Sequence, residues 1–193
     1  MTTQFARFGL ALLLSCSSLS VAAADDPIRP DPSMTPGLVD STVGDNNICA
    51  HDWTYGGAGN PPVEGGSDTY SKAARRTPAA TKEQSFQEYG LSDPHDGGKS
   101  YEVDHRVPLS LGGRDDIRNL WPETRDRSVQ WNAWVKDRLE FKIYNMVCHP
   151  PAGQPPMHVQ DAQAVFLGDW VAGYQQYCPT DGDCPAYGGA GND

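Results

Sequence analysis

The chain is poor in positive charge. Fifteen Lys and Arg stand against twenty-five Asp and Glu, a net charge of −10. That deficit argues against a broad basic surface, so any contact with phosphate has to be local, weak and salt-sensitive. The arginines are gathered rather than spread, with Arg106, Arg114, Arg118, Arg125 and Arg127 in one stretch. Long apolar runs are also missing. The run Phe8 to Leu14 is too short to span a bilayer, and no other candidate span exists. Cysteine is scarce, five in all. No two form a C-x-x-C pair, which makes thiolate ligation of zinc a weak reading. There is no internal repeat.

What is present begins with an export signal. Arg7, the apolar run and Ala22-Ala23-Ala24 follow the order of a secretory signal peptide over residues 1–24, cut after Ala24. A rival reading makes Cys16, in Leu13-Leu14-Ser15-Cys16, a lipidated residue, with the Leu before Ser15 a poor fit. Cutting at Ala24 removes Cys16 and Arg7, which takes the charge from −10 to −11. Cys49, Cys148, Cys178 and Cys184 remain. An even count in an exported chain predicts two disulfides, with three connectivities open. The favoured pairing is Cys178–Cys184, a short local loop, with Cys49–Cys148 tying the N-terminal arm to the end of a long helix. A secreted or periplasmic location follows.

Residues 25–45, rich in Pro, Asp, Ser and Gly, read as a flexible lead-in. Tyr70 to Glu88 has helical composition broken at Pro78. Tyr101 to Leu109 suits a strand, with Tyr101, Val103 and Val107 spaced by twos. Gly112-Gly113 turns a loop, and Ile117 to Trp121 is a short return strand that Pro122 is expected to end. Trp131, Trp134, Val135, Leu139, Ile143, Met146 and Val147 predict an amphipathic helix over 131–147. A second helix is expected from Val159 to Tyr177, with Gly168 its weak point. The tail, 179–193, is rich in Gly, Asp and Pro. The fold class is α+β, one disulfide-stabilised domain over 46–178.

Tyr101 to Arg125 concentrates the chemistry: YEVDHRVPLSLGGRDDIRNLWPETR. Asp104-His105 on one arm, a Gly-Gly turn, Asn119 in NLWPE on the other arm and the helix WNAWVKDRLE follow in order. This arrangement resembles the ββα-metal (HNH) endonuclease motif, and more narrowly small secreted bacterial proteins of that type. The resemblance covers roughly Pro36 to Tyr177 and is densest over 101–148. It implies a hairpin leading into a helix, with additional helices around it.

The resemblance also assigns roles. His105 is the general base, since an imidazole titrates near neutral pH. A backbone carbonyl from across the hairpin would hold its other nitrogen, and Asn119 would brace the loop. Asp104 is the metal ligand, a hard oxygen donor for one Mg²⁺ or Mn²⁺. Neighbours on a strand point to opposite faces, so periodicity alone does not bring Asp104 and His105 together. The family's third position, in the first turn of the helix, holds no His here. Asn132 is the candidate, with Ser128, Gln130 and Glu123 as alternatives. Arg106 and Lys136 are candidate phosphate contacts. The substrate implied is nucleic acid, DNA ahead of RNA, cut with little sequence specificity. Any immunity or inhibitor partner is not identified by the sequence.

Each assignment has a plainer counterpart. Asp104 could pair with an arginine, Asn119 could be a turn residue, and Asn132 a helix cap. Trp121, Trp131 and Trp134 suit a core better than base stacking. The alternative function is therefore an exported, non-catalytic binding or structural protein that keeps the scaffold.

Overall fold

Two small antiparallel hairpins and five α-helices make up the α+β fold of the computed structural model, which describes residues 28–180 and 182–185. The segment expected to be a signal peptide, Cys16 and the end of the tail lie outside the described residues. Strands β1 (Trp53–Thr54) and β2 (Val63–Glu64) form the first hairpin. Helices α1 (Tyr70–Ala74) and α2 (Ala79–Glu88) follow, separated at Pro78 as its fixed φ and missing N–H require. Strands β3 (Tyr101–His105) and β4 (Leu120–Thr124) form the second hairpin. Helices α3 (Ala133–Cys148), α4 (Val159–Leu167) and α5 (Trp170–Tyr177) complete the chain.

Strand β4 runs through Pro122 instead of stopping there. The register pairs Pro122 with Val103. The N–H of Arg125 donates to Ser100 and that of Arg106 to Asn119. Hydrogen-bonded pairs alternate along an antiparallel ladder, so Val103–Pro122 falls at a pair that exchanges no such bonds. The missing N–H of proline therefore costs the ladder nothing.

The expected second helix is two helices. Gly168 leaves helical geometry, and the Asp169 side chain accepts from the Val171 N–H at 3.0 Å, starting α5 anew. The apolar stripe of α3, Leu139, Ile143 and Val147, packs with Val159, Ala162 and Phe166 of α4 and Trp170 and Val171 of α5. Val107, Leu109 and Leu111 from the hairpin loop join the same core. Cys49–Cys148 and Cys178–Cys184 both form disulfides, the pairing the sequence favoured.

The lead-in packs on the hairpin loop where it is described. Gly37 N–H donates to Arg118, Asp40 N–H to Gly112, and Arg114 N–H donates back to Leu38. This strap needs the Gly-Gly turn. Gly112 has φ +82°, and a Cβ on Gly113 would sit 1.9 Å from the Val107 carbonyl oxygen.

Candidate active site

The loop between β3 and β4 is held shut by Asn119, which is fully buried. Its Oδ1 accepts from the Val107 N–H at 2.9 Å, and its Nδ2 donates to the carbonyls of Val107 at 3.0 Å and Arg114 at 2.9 Å. Its backbone carbonyl takes the Arg106 N–H at 2.7 Å. A short amide is suited to this because it offers donors and an acceptor at one point.

That closure brings the far end of the loop back to His105. Nε2 of His105 lies 3.0 Å from Oδ1 of Asp115. The expected partner was a backbone carbonyl; the structure supplies a carboxylate instead. Where Asp115 accepts from Nε2–H, the neutral ring keeps its lone pair on Nδ1. Asp115 is itself fixed by the Arg76 N–H at 2.6 Å and by the Thr77 hydroxyl. Burial pushes Asp115 up, but the hydrogen bonds from His105, Thr77 and Arg76 hold it below the usual carboxylate range.

On the other face of the hairpin three carboxylates gather. Glu102 and Asp104 alternate on β3, and Glu123 stands directly across from Glu102 on β4. The pleat therefore puts all three on one face. One oxygen from each lies within 4.8 Å of the others. Two such charges repel by roughly 3 kcal/mol at an effective dielectric constant of about 20. Two cations answer this. Nε and Nη2 of Arg125 both donate to Oε2 of Glu102. The Lys136 ammonium donates to Oδ2 of Asp104, to Oε1 of Glu140 and to the His105 carbonyl, using its three N–H bonds.

The balance remains negative, and the carboxyls divide accordingly. Burial pushes Glu102 up to about 8, helped by the charges of Asp104 and Asp137 and opposed by Arg125. Glu123 is fully buried and raised well above the carboxylate range, by burial first and then by Asp104 and Glu102 against Lys136. Among the described residues no donor reaches either of its oxygens, and the neutral acid faces the Asp104 carboxylate. Burial would also raise Asp104, but Lys136 holds it low and ionised.

Asp104 and His105 point to opposite faces, as strand geometry demands. They nevertheless line one cleft of about 940 Å³. Among the described residues β3 pairs only with β4, and all five of its residues line the cleft. Glu102, Asp137 and Glu140 line it too, while Arg75, Arg76, Lys82 and Arg125 supply cations.

Both expected phosphate contacts are elsewhere. Arg106 turns inward, donating to the carbonyls of Thr35 at 2.7 Å, Phe166 at 3.2 Å and Leu167. The last two end α4, where carbonyls lack helical partners and attract a cation. Lys136 is fully buried in its ion pairs. The lysine tail crosses the core because two carboxylates meet it there, which no helical periodicity reveals. Asn132 is the N-cap residue of α3, with Nδ2 donating to Val129 at 2.6 Å and Asp126 at 3.3 Å. Its Oδ1 is buried without a hydrogen-bond partner. Trp134 is partly exposed with Arg125 and Arg127 against its ring, whereas Trp121 is core.

The sequence reading overlooked Asp115 and Glu102, and ranked Glu123 only as an alternative. The alternation Glu102-x-Asp104 was a usable signal for Glu102. Asp115 had none, because its approach to His105 depends on how the loop closes.

The donor set suits a hard cation. It is all oxygen, its members converge, and Glu123 is a buried carboxyl that no donor reaches among the described residues. Among the described residues no helix is long and apolar enough to cross a membrane. No family model, no curated protein and no solved structure matches the chain.

Proposed function

We propose that this chain is an exported endonuclease of the HNH (ββα-metal) type, hydrolysing phosphodiester bonds of DNA or RNA with little sequence specificity. One observation carries the reading: His105, paired with Asp115 through Nε2, lines the same cleft as the Glu102 and Asp104 carboxylates, with arginines along it. The order β3, β4, α3, with Lys136 of α3 reaching back to β3, supports the hairpin-helix likeness.

In this mechanism His105 takes the proton of the attacking water on Nδ1, and Asp115 holds the ring and steadies the imidazolium that forms. Asn119 keeps the loop that carries Asp115 closed. Arg75, Arg76 and Lys82 are placed to meet phosphate charge. Glu102, Asp104 and Glu123 would hold a divalent ion, which supplies charge stabilisation for the phosphate and the leaving oxygen.

The testing experiment is nicking of supercoiled plasmid by the oxidised mature chain, at low salt with Mg²⁺ or Mn²⁺. Metal-dependent nicking that EDTA and His105→Ala both abolish is the expected result. Equal silence of wild type and variant on DNA and RNA would leave the second reading, a non-catalytic binding protein. That reading is favoured by Lys136, whose ammonium already engages Asp104.

A further inference from the structure

The likeness to HNH enzymes draws the metal ligands from a strand and the first turn of the helix, here Asp104 and Asn132. The hairpin offers a different set. Glu102 and Glu123 face each other across the ladder, an arrangement that like charges normally avoid. Lys136 and Arg125 engage Asp104 and Glu102 through one oxygen each, Oδ2 and Oε2. No donor among the described residues reaches either oxygen of Glu123, although it is completely buried and its carboxyl lies within 4.8 Å of the other two; its own proton has the Asp104 carboxylate to meet. A buried acceptor left without a donor is uncommon, because its desolvation is not repaid.

We infer that Glu102, Asp104 and Glu123 together bind one hard divalent cation, held by both strands of the hairpin. Glu102 and Asp104 line the cleft and admit the ion, and Glu123 closes the coordination from within. Carboxylate oxygens are donors for hard ions, so Mg²⁺, Mn²⁺ and Ca²⁺ are the candidates. The absence of nitrogen and sulfur donors disfavours Zn²⁺.

This inference rests on the proposed site, and its test reads binding rather than cleavage. Mn²⁺ is titrated calorimetrically into the oxidised mature chain, with Ca²⁺ as competitor. One ion per chain is expected. Glu123→Gln and Glu102→Gln should each weaken it at least about tenfold, in line with losses seen when metal-site partners are removed. Asp45→Asn, an exposed acid paired with His158, should leave it unchanged. Circular dichroism checks each fold, and the partly exposed Glu102 carries the test if the Glu123 variant misfolds. No saturable binding to wild type, or an unchanged Kd in the folded carboxylate variants, would overturn the inference. Binding and cleavage, measured side by side, separate the two ideas. Binding without cleavage in wild type removes the enzyme and keeps the site, and cleavage without this binding does the reverse.

Discussion

His105 and Asp115, ten residues apart in the chain, meet at 3.0 Å because the loop between them is folded back on itself. Where the carboxylate accepts from Nε2–H, Nδ1 carries the lone pair. Replacing that carboxylate with an amide removes the charge that steadies an imidazolium. Asp115→Asn should therefore lower the nicking rate about 10²–10⁴-fold, the range assigned to acid–base catalysis. His105→Ala should fall at least as far. Rates at saturating substrate are the measurement, since a loss confined to substrate affinity would not fit this role.

The same pair sets an acid limit on stability. Asp115 has a lowered pKa in the folded chain. The unfolded chain therefore binds the proton more readily, so the contribution is present above the unfolded value of about 3.9 and fades as pH falls through the folded value. Thermal unfolding from about pH 6 down to about pH 2.5 should show wild type losing stability more steeply than Asp115→Asn. Parallel curves would remove Asp115 from the account.

Asn119→Ala leaves the Val107 N–H and the Val107 and Arg114 carbonyls without their side-chain partner. At about 1–3 kcal/mol for each buried group, a loss of about 3–5 kcal/mol is expected. Urea unfolding measures it. A loss under about 1 kcal/mol would mean that the loop closes without the amide.

Lys136→Met distinguishes an ion-pair lysine from a phosphate contact. Removing one partner of a buried pair costs about 3–5 kcal/mol, because the other charge stays behind. The variant should unfold in clearly lower urea. Unchanged stability with weakened nucleic-acid binding would restore the phosphate role.

The two disulfides should differ in weight. Cys49–Cys148 spans 99 residues and Cys178–Cys184 only 6. Loop entropy gives the first about 4.7 kcal/mol and the second about 2.4 kcal/mol. Paired serine substitutions followed by denaturant unfolding should show the long bridge costing about twice the short one.

The local pattern of the chain carried much of this architecture. Apolar residues at threes and fours marked α3, alternation marked β3, and Pro78 divided α1 from α2, because each is decided within a few residues of backbone. Cys49, Cys148, Cys178 and Cys184, taken as a set of four, restricted the disulfides to three pairings. Asp104, His105 and Asn119 were grouped by a resemblance, and of the roles it implied the loop-bracing hydrogen bonds of Asn119 are present.

Everything that depends on closure was left to the tertiary structure. Pro122 stays in β4 because the register puts its missing N–H where no bond is made. Arg106 turns from solvent to the end of α4, and Lys136 sinks among carboxylates, because a long side chain goes where unpaired acceptors are buried. Glu123 meets Glu102 and Asp104 only once β3 and β4 are in register. Asp115 reaches His105 only once Asn119 has shut the loop. The sequence determined which groups were available and the local elements that carry them. The packed hairpin decided which faced one another, since long-range electrostatics and hydrogen bonding act only after distant residues have been brought within a few ångströms.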